Sequence, residues 1–325
     1  MIVVLVETDA QGAIGVSREA LTFARELGSR GGEAIEAVMV GDVSELALAH
    51  LGEQGVALVH HPEDERLSTY AAAAWAAAIT NLLESLAADV LVAAGTPRGN
   101  EILAHVAARL DVAMAANVVR VDSPEPFSVT RQVVGGAALE EMRLPDRVAI
   151  LSVAGHACDP QPAAAPANTE IRSYSPKIAE RDLLARVARV EATVAGDAGD
   201  LTSARVVVGA GRGAGGADGF TDLLELAQLL GGALGVSRVV TSLGWRPHHE
   251  QVGQTGSRIA PEVYIPCGIS GAIQHWAGCQ SAKAILAINT DPEAPMVTKA
   301  HYAVIGDLHE IVPAINAELR ARRGS

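Results

Sequence analysis

Short apolar runs alternate with helix-patterned stretches along most of this chain, and that alternation limits the possible architectures more than any other feature. In the first half, residues 2–6, 34–40, 56–60, 90–94 and 148–153 read as strands. Between them, 17–27, 44–51, 69–87 and 100–110 carry helical spacing, with Ser17 and Ser44 placed as N-caps. Strands that are apolar throughout and joined through helices form a largely parallel sheet covered on both faces. Residues 118–144 offer strands without helices between them, which predicts an antiparallel edge.

The second half repeats the theme. A strand at 204–208 runs into a glycine-rich turn at 209–216 and a helix from about 220 to 234. Strands follow at 238–241, 263–265, 284–288 and 301–305, and a last helix covers about 308 to 320. At 325 residues the chain suits two domains. The expected fold class is α/β, with two doubly wound, Rossmann-like domains. Between them, residues 158–199 lose both periods: 159–166 read as a linker or surface loop, 181–190 as either a short strand or a short helix, and 195–200 as the hinge. The division expected is an N-terminal domain over 1–199, ending in a linker at 158–199, and a C-terminal domain over 200–325. A ligand of the second domain belongs outside the carboxyl ends of its strands.

Charge and composition exclude several classes. With 25 basic and 38 acidic residues the net charge is −13, which argues against nucleic acid or an anionic membrane surface as the main partner. Cys158, Cys267 and Cys279 are odd in number and lack Cys-x-x-Cys spacing, so neither a disulfide framework nor a zinc site is expected. The alanine-rich run at 70–79 is interrupted soon after by Asn81 and Glu84, well short of the roughly 20 apolar residues a membrane span requires. The N-terminus enters a strand directly, without a basic region or cleavage site. Only Lys177, Lys283 and Lys299 are lysines, and alanine and glycine are heavily used, as GC-rich bacterial genes encode. The expectation is a bacterial, cytoplasmic protein without membrane insertion.

The glycines at Gly209, Gly211, Gly213, Gly215 and Gly216 superficially offer a dinucleotide fingerprint. That fingerprint needs an acidic residue about 20 positions on, at the end of the second strand. Gly231 and Gly232 stand at that distance, and the expected next strand ends at Thr241-Ser242, so the usual NAD reading fails. A flexible strand-to-helix turn explains these glycines equally well.

Residues 251–289 are more informative. Gln251-Val252-Gly253-Gln254-Thr255-Gly256 forms a polar glycine loop whose threonine hydroxyl can donate to or accept from a ring nitrogen. Ile269-Ser270-Gly271-Ala272-Ile273-Gln274-His275 follows a strand and opens a helix, where free backbone N–H groups meet phosphate or a flavin carbonyl. Building a core requires no such concentration of small and polar residues, whereas a flavin nucleotide does: backbone must approach a pyrophosphate, and donors must reach the edge of a ring. His275 can supply one such donor. Ser237-Arg238 follows the first crossover, and an arginine over a flavin stabilises the negative charge that reduction brings. His248 and His249 are adjacent but have no third ligand in view.

These motifs, in this order, resemble the signature region of electron transfer flavoprotein alpha subunits. The C-terminal part of the chain matches that family in motif, and the N-terminal part in architecture and length. The resemblance implies FAD held chiefly by the C-terminal domain, with Arg212 and Arg238 as cofactor arginines. It also places Asn289 towards the phosphate or ribose and Asp307-Leu308 at the adenine end, although Asp307 can equally be the N-cap of the last helix. It further implies a heterodimer with a beta subunit that carries AMP. Electrons would pass from flavin dehydrogenases, such as acyl-CoA dehydrogenases, to a quinone oxidoreductase, so that the protein is a carrier and not a substrate-transforming enzyme. One departure is Ser242, which stands where the family often has aspartate before Gly244-Trp245. The alternatives are an NAD- or thiamin-dependent enzyme on a related fold, or a nucleotide-binding regulator without redox activity.

Overall fold

The computed structural model describes residues 1–136, 138–155, 157–189, 201 and 204–323. The chain divides into two compact units, Met1–Val134 with Ala138–Glu191, and Gly135–Ala137 with Ala192–Ser325. The hinge expected at 195–200 lies outside the described residues.

The first unit runs β1 (Ile2–Leu5), a small hairpin of β2 (Thr8–Asp9) and β3 (Gly12–Ala13), α1 (Gly15–Gly31), β4 (Ile35–Val38), α2 (Glu45–Glu53) and β5 (Leu58–Pro62). It continues through α3 (Ala72–Leu86), β6 (Val90–Ala94), α4 (Pro97–Leu110), β7 (Met114–Pro124), β8 (Phe127–Val133), β9 (Ala138–Arg143), β10 (Ala149–Val153) and β11 (Glu170–Tyr174). Nine strands form one sheet in the order β11-β5-β4-β1-β6-β10-β7-β8-β9. The sheet is parallel except for the β7-β8 and β8-β9 pairs, which are the antiparallel edge expected at 118–144. β1, β6 and β10 are buried along their whole length, because helices cover both faces. Ser44 caps α2 by accepting from the Ala47 N–H at 3.1 Å. Ser17 does not cap: it sits inside α1, and its hydroxyl accepts from the Glu7 N–H just past β1.

Over the described residues 158–189, the segment after β10 corrects the linker reading. It returns across the unit, with Gln161 N–H on Thr22 Oγ1 at 3.0 Å and Ala167 N–H on the Gly52 carbonyl at 2.9 Å. It then adds β11 in parallel to β5, pairing Glu170 with Leu58. Glu-Ile-Arg-Ser-Tyr is exposed except at Tyr174, so this edge strand is held by backbone bonds and shows no apolar alternation. Among the described residues 181–189 there is neither a strand nor an α-helix, only a 3-10 turn at Glu180–Leu183.

The second unit runs β12 (Val206–Ala210), α5 (Thr221–Leu229), β13 (Ala233–Val236), α6 (Arg238–Ser242), β14 (Val263–Cys267), α7 (Ile273–Cys279), β15 (Ala284–Asn289), α8 (Pro295–Thr298), β16 (Tyr302–Ile305) and α9 (Leu308–Arg323). Its sheet is all parallel, in the order β13-β12-β14-β15-β16. Alternate residues serve opposite faces. Val208 and Ile265 pack with Phe220, just before α5, and with Leu223 and Val312 from α5 and α9, whereas Val207 and Tyr264 pack with Cys279 and Met296 from α7 and α8. Burying a valine in this way contributes roughly 1.5–3 kcal/mol.

Two expected elements here are corrected. The helix placed at 220–234 stops at Leu229, because Gly231 takes a φ of 62° and ends it; Ala233–Val236 is then a strand. The strand placed at 238–241 is the short helix α6. Ala-Leu-Gly-Val is too short to show a period, and its alanine and leucine favour helix in isolation. The correction moves Ser237 and Arg238 to the carboxyl end of a strand.

Candidate functional site

Four backbone bonds extend the second sheet at its carboxyl edge and set the floor of the site. Ser237 N–H donates to the Ala210 carbonyl at 3.0 Å, Gly211 to Cys267 at 3.0 Å, Gly268 to Ile288 at 2.8 Å and Gly306 to Asn289 at 3.0 Å. Above them opens a cavity of about 750 Å³, within the size range of cofactor sites. The strand order, numbered within the unit, is 2-1-3-4-5, and the switch point between β12 and β14 is where such a sheet leaves a crevice.

The loops that follow the strands line this cavity. Arg212 comes from the turn after β12, and Ser237 and Arg238 from the end of β13. Gln251, Val252, Gly253, Gln254 and Thr255 form one wall. Ile269, Ser270, Gly271, Ala272, Gln274 and His275 form the next, with Asn289, Asp307 and Leu308 closing the far end. These are the sequence candidates with one exception. Gly256 does not line the cavity; it closes the loop, where a Cβ would lie 2.2 Å from the Gln251 carbonyl oxygen. Gly213, from the glycine cluster read as a turn, also lines it, as do Gly268, Thr290, Asp291 and His309, which the sequence motifs do not mark as cofactor residues. Gly268 was recoverable: its Cβ would lie 2.7 Å from Gly213 Cα, and it sits directly before the Ile269–His275 motif.

The 251–256 loop is clamped from both ends. Val252 N–H donates to the Val236 carbonyl at 2.9 Å, Ser257 N–H to Gln251 at 2.7 Å and Gln254 N–H to the Gln274 carbonyl at 2.8 Å. The Gln251 side chain, 1% exposed, accepts from Thr241 Oγ1 at 2.7 Å and donates to Thr255 Oγ1 at 2.9 Å. Just before the loop, Glu250 holds Arg246 through two contacts of 2.7 Å, with both side chains largely buried.

Helix α7 starts at Ile273, three residues later than Ser270, so Ser270-Gly271-Ala272 is an irregular lead into it. Its shape depends on Gly271, whose φ is 84° and whose Cβ would lie 2.4 Å from Met296 N. His275 is buried, and its Nε2 lies 2.7 Å from the hydroxyl of the fully buried Tyr264. Burial pushes the His275 pKa down to about 4, with the Val252 carbonyl opposing only part of the shift, so the ring is neutral at pH 7. The buried Ser237 Oγ has no hydrogen-bond partner among the described residues, and His275 Nδ1 has none of ordinary geometry among them, the Val252 carbonyl being the backbone acceptor that acts on the ring. Buried polar atoms are rarely left unpaired, and two of them in the lining of one cavity call for a polar ligand.

Asn289 ties two loops by donating to the Ile269 carbonyl at 3.0 Å and accepting from Asp291 N–H at 3.2 Å. Asp307 accepts from His309 N–H at 2.9 Å at the head of α9, so it does cap that helix. Arg212 and Arg238 are exposed at the cavity wall and have no ion-pair partner among the described residues. Ser242 is exposed and outside the lining. His248 and His249 are exposed, and no cluster of three metal-ligating side chains occurs among the described residues.

A doubly wound parallel sheet with a polar cavity across its switch point is a nucleotide-cofactor-binding α/β domain. Residues 200–280 match the electron transfer flavoprotein FAD-binding domain, and residues 2–179 match the electron transfer flavoprotein domain. The alpha subunit from Mycobacterium tuberculosis is 37% identical over 326 residues, covering 99% of each chain. Those from Thermoanaerobacterium thermosaccharolyticum and Bacillus subtilis are each 32% identical, covering 94% of this chain and 94% and 93% of theirs. The chain belongs to the electron transfer flavoprotein alpha-subunit family. The cavity fits the FAD that its matched domain implies: it offers arginines with no ion-pair partner among the described residues, closely approaching glycines, and a buried hydroxyl and ring nitrogen with no ordinary hydrogen-bond partner among them.

Proposed function

We propose that this chain is the FAD-holding subunit of an electron carrier. Residues 200–325 hold the flavin in this reading, and residues 1–199 contact a beta subunit that carries AMP. Electrons arrive from flavin dehydrogenases, acyl-CoA dehydrogenases among them, and leave to a quinone oxidoreductase or another acceptor, in the bacterial cytoplasm. FAD, when bound, supplies the ability to take up and release electrons one or two at a time. The chain's own residues bind, orient and tune it. Arg238 contributes a permanent positive charge that favours reduced, negatively charged forms. Arg212 and the loop at Gly268–Gly271 receive the pyrophosphate, Asn289 the ribose or phosphate side, and Asp307-Leu308 the adenine end. Neutral His275 and Ser237 offer hydrogen bonds to polar ring atoms without adding charge.

The observation that carries this reading is the convergence of three separate sequence motifs, around Ser237-Arg238, Gln254-Thr255 and Ser270–His275, on one cavity that contains unpaired buried polar atoms. The test is to express the chain with its beta partner, add FAD and record the visible spectrum. A yellow complex with about one FAD per heterodimer is expected. A complex that stays colourless sinks the proposal.

A further inference from the structure

Four groups in the second unit form a continuous chain that passes through the buried Gln251 amide and ends at the cavity. The Arg238 carbonyl lies 3.0 Å from Thr241 Oγ1, and Thr241 Oγ1 lies 2.7 Å from the Gln251 amide. That amide lies 2.9 Å from Thr255 Oγ1, and Thr255 lines the cavity whereas Thr241 does not. A hydroxyl has one hydrogen, and an amide presents an oxygen at one end and an NH₂ at the other. The distances therefore admit two self-consistent patterns. In the first, Thr241 donates to Gln251 Oε1, Gln251 Nε2 donates to Thr255, and the Thr255 hydrogen is left for the cavity. In the second, the amide is turned over. Thr255 donates to Oε1, Nε2 donates to Thr241, and Thr241 donates to the Arg238 carbonyl, so the cavity meets Thr255 lone pairs. Which pattern holds is a matter of hydrogen positions, assigned from partners and not from heavy atoms.

We infer that Thr241 and Gln251 are positioning residues that reverse the polarity of the Thr255 hydroxyl with the redox state of the bound flavin. This rests on the reading of the cavity as the FAD site. Oxidised flavin carries a bare ring nitrogen that only accepts a hydrogen bond; in the fully reduced ring the same nitrogen carries hydrogen and only donates. The first pattern serves the former and the second the latter. No proton or electron moves along the relay: two hydroxyls rotate, one amide turns over, and every hydrogen stays on its own atom. With Gln251 only 1% exposed, its amide cannot turn to water and must bond to the two threonines, so the orientation of one hydroxyl is coupled to the other through it.

The test uses the alpha–beta complex loaded with FAD, and Thr241 is its key because it does not line the cavity. Thr241→Val should weaken retention of oxidised FAD by about threefold to tenfold, the worth of one hydrogen bond. Thr241→Ser should restore it to within about twofold. In a Thr255→Val background, Thr241→Val should cause no further loss. Equal losses in both backgrounds would mean that Thr241 only supports the fold, and would overturn the relay. The reversal itself is read by infrared difference spectra of oxidised against dithionite-reduced complex. A glutamine amide band that shifts on reduction and vanishes in Gln251→Met is expected. FAD-loaded wild-type complex without such a band overturns the inference and leaves the site reading standing. A complex that never binds FAD refutes the site reading instead.

Discussion

Three glycines of the second unit allow backbone strain and steric overlap to be measured apart. At Gly271 both act: φ is 84°, and an added Cβ would sit 2.4 Å from Met296 N and 2.8 Å from Met296 Cα. The left-handed conformation costs an alanine about 1 kcal/mol. The overlap is with backbone that is itself bonded, Met296 N–H to the Ser270 carbonyl at 3.1 Å, so relief requires moving a loop; that adds roughly 1–3 kcal/mol. Gly244 has a φ of 71° with nothing within 4 Å of its Cβ, so alanine there meets the strain alone. Gly216, with an extended φ of 173° and open space, meets neither. Denaturant unfolding of the FAD complex, followed by flavin release, should therefore rank the variants. Gly216→Ala should fall within about 0.5 kcal/mol of wild type, Gly244→Ala about 1 kcal/mol below, and Gly271→Ala about 2–4 kcal/mol below. Gly271→Ala should also bind FAD more weakly, because the displaced 269–272 loop lines the cavity. A Gly271→Ala variant as stable as Gly244→Ala would refute the argument that close approach to α8 shapes this loop.

Further outcomes follow from the site's electrostatics and capping. Arg238→Ala should lower the FAD midpoint potential, by on the order of tens of millivolts for one charge in a partly wet site; a redox titration showing no change or a rise contradicts the role given to that residue. His275 has its pKa pushed down to about 4 by burial, so the unfolded chain binds the proton more readily than the folded one. Its contribution to stability is complete above pH 6.5 and is lost as pH falls towards 4, by at most about 3 kcal/mol. His275→Gln should flatten the stability profile over that window, and an unchanged slope in pH-dependent denaturation would show that the ring titrates normally. Ser44→Ala removes the cap of α2 and should cost about 1 kcal/mol in the same assay, without altering FAD affinity.

Much of the architecture was readable along the chain because burial on both faces makes a strand apolar from end to end. Ile2–Leu5, Val90–Ala94 and Ala149–Val153 declare themselves in that way, and the antiparallel edge follows from the missing helices after residue 118. Segments whose position depends on distant partners did not declare themselves. β11 is polar and exposed, and it is a strand only because β5 offers a free edge. Ala233–Val236 is a strand because β12 lies beside it, whereas its local composition suits the end of a helix. Placing that strand is what brings Ser237 and Arg238 to the cavity.

The site divides along the same line. Motif residues such as Thr255, Gly271 and His275 were visible as types whose spacing suits a cofactor, since backbone approach needs glycine and ring edges need donors. Their partners were not visible. Nothing local connects Thr241 with Gln251, or Tyr264 with His275, and Gly256 shares a motif with lining residues yet only closes their loop. By itself, then, the amino-acid order determined which chemistry the chain carries and that it folds as alternating strands and helices, because both are matters of residue type and local period. Only the tertiary structure decided which polar atoms find partners and which are left for a ligand, because burial and hydrogen-bond geometry arise where segments far apart in sequence meet.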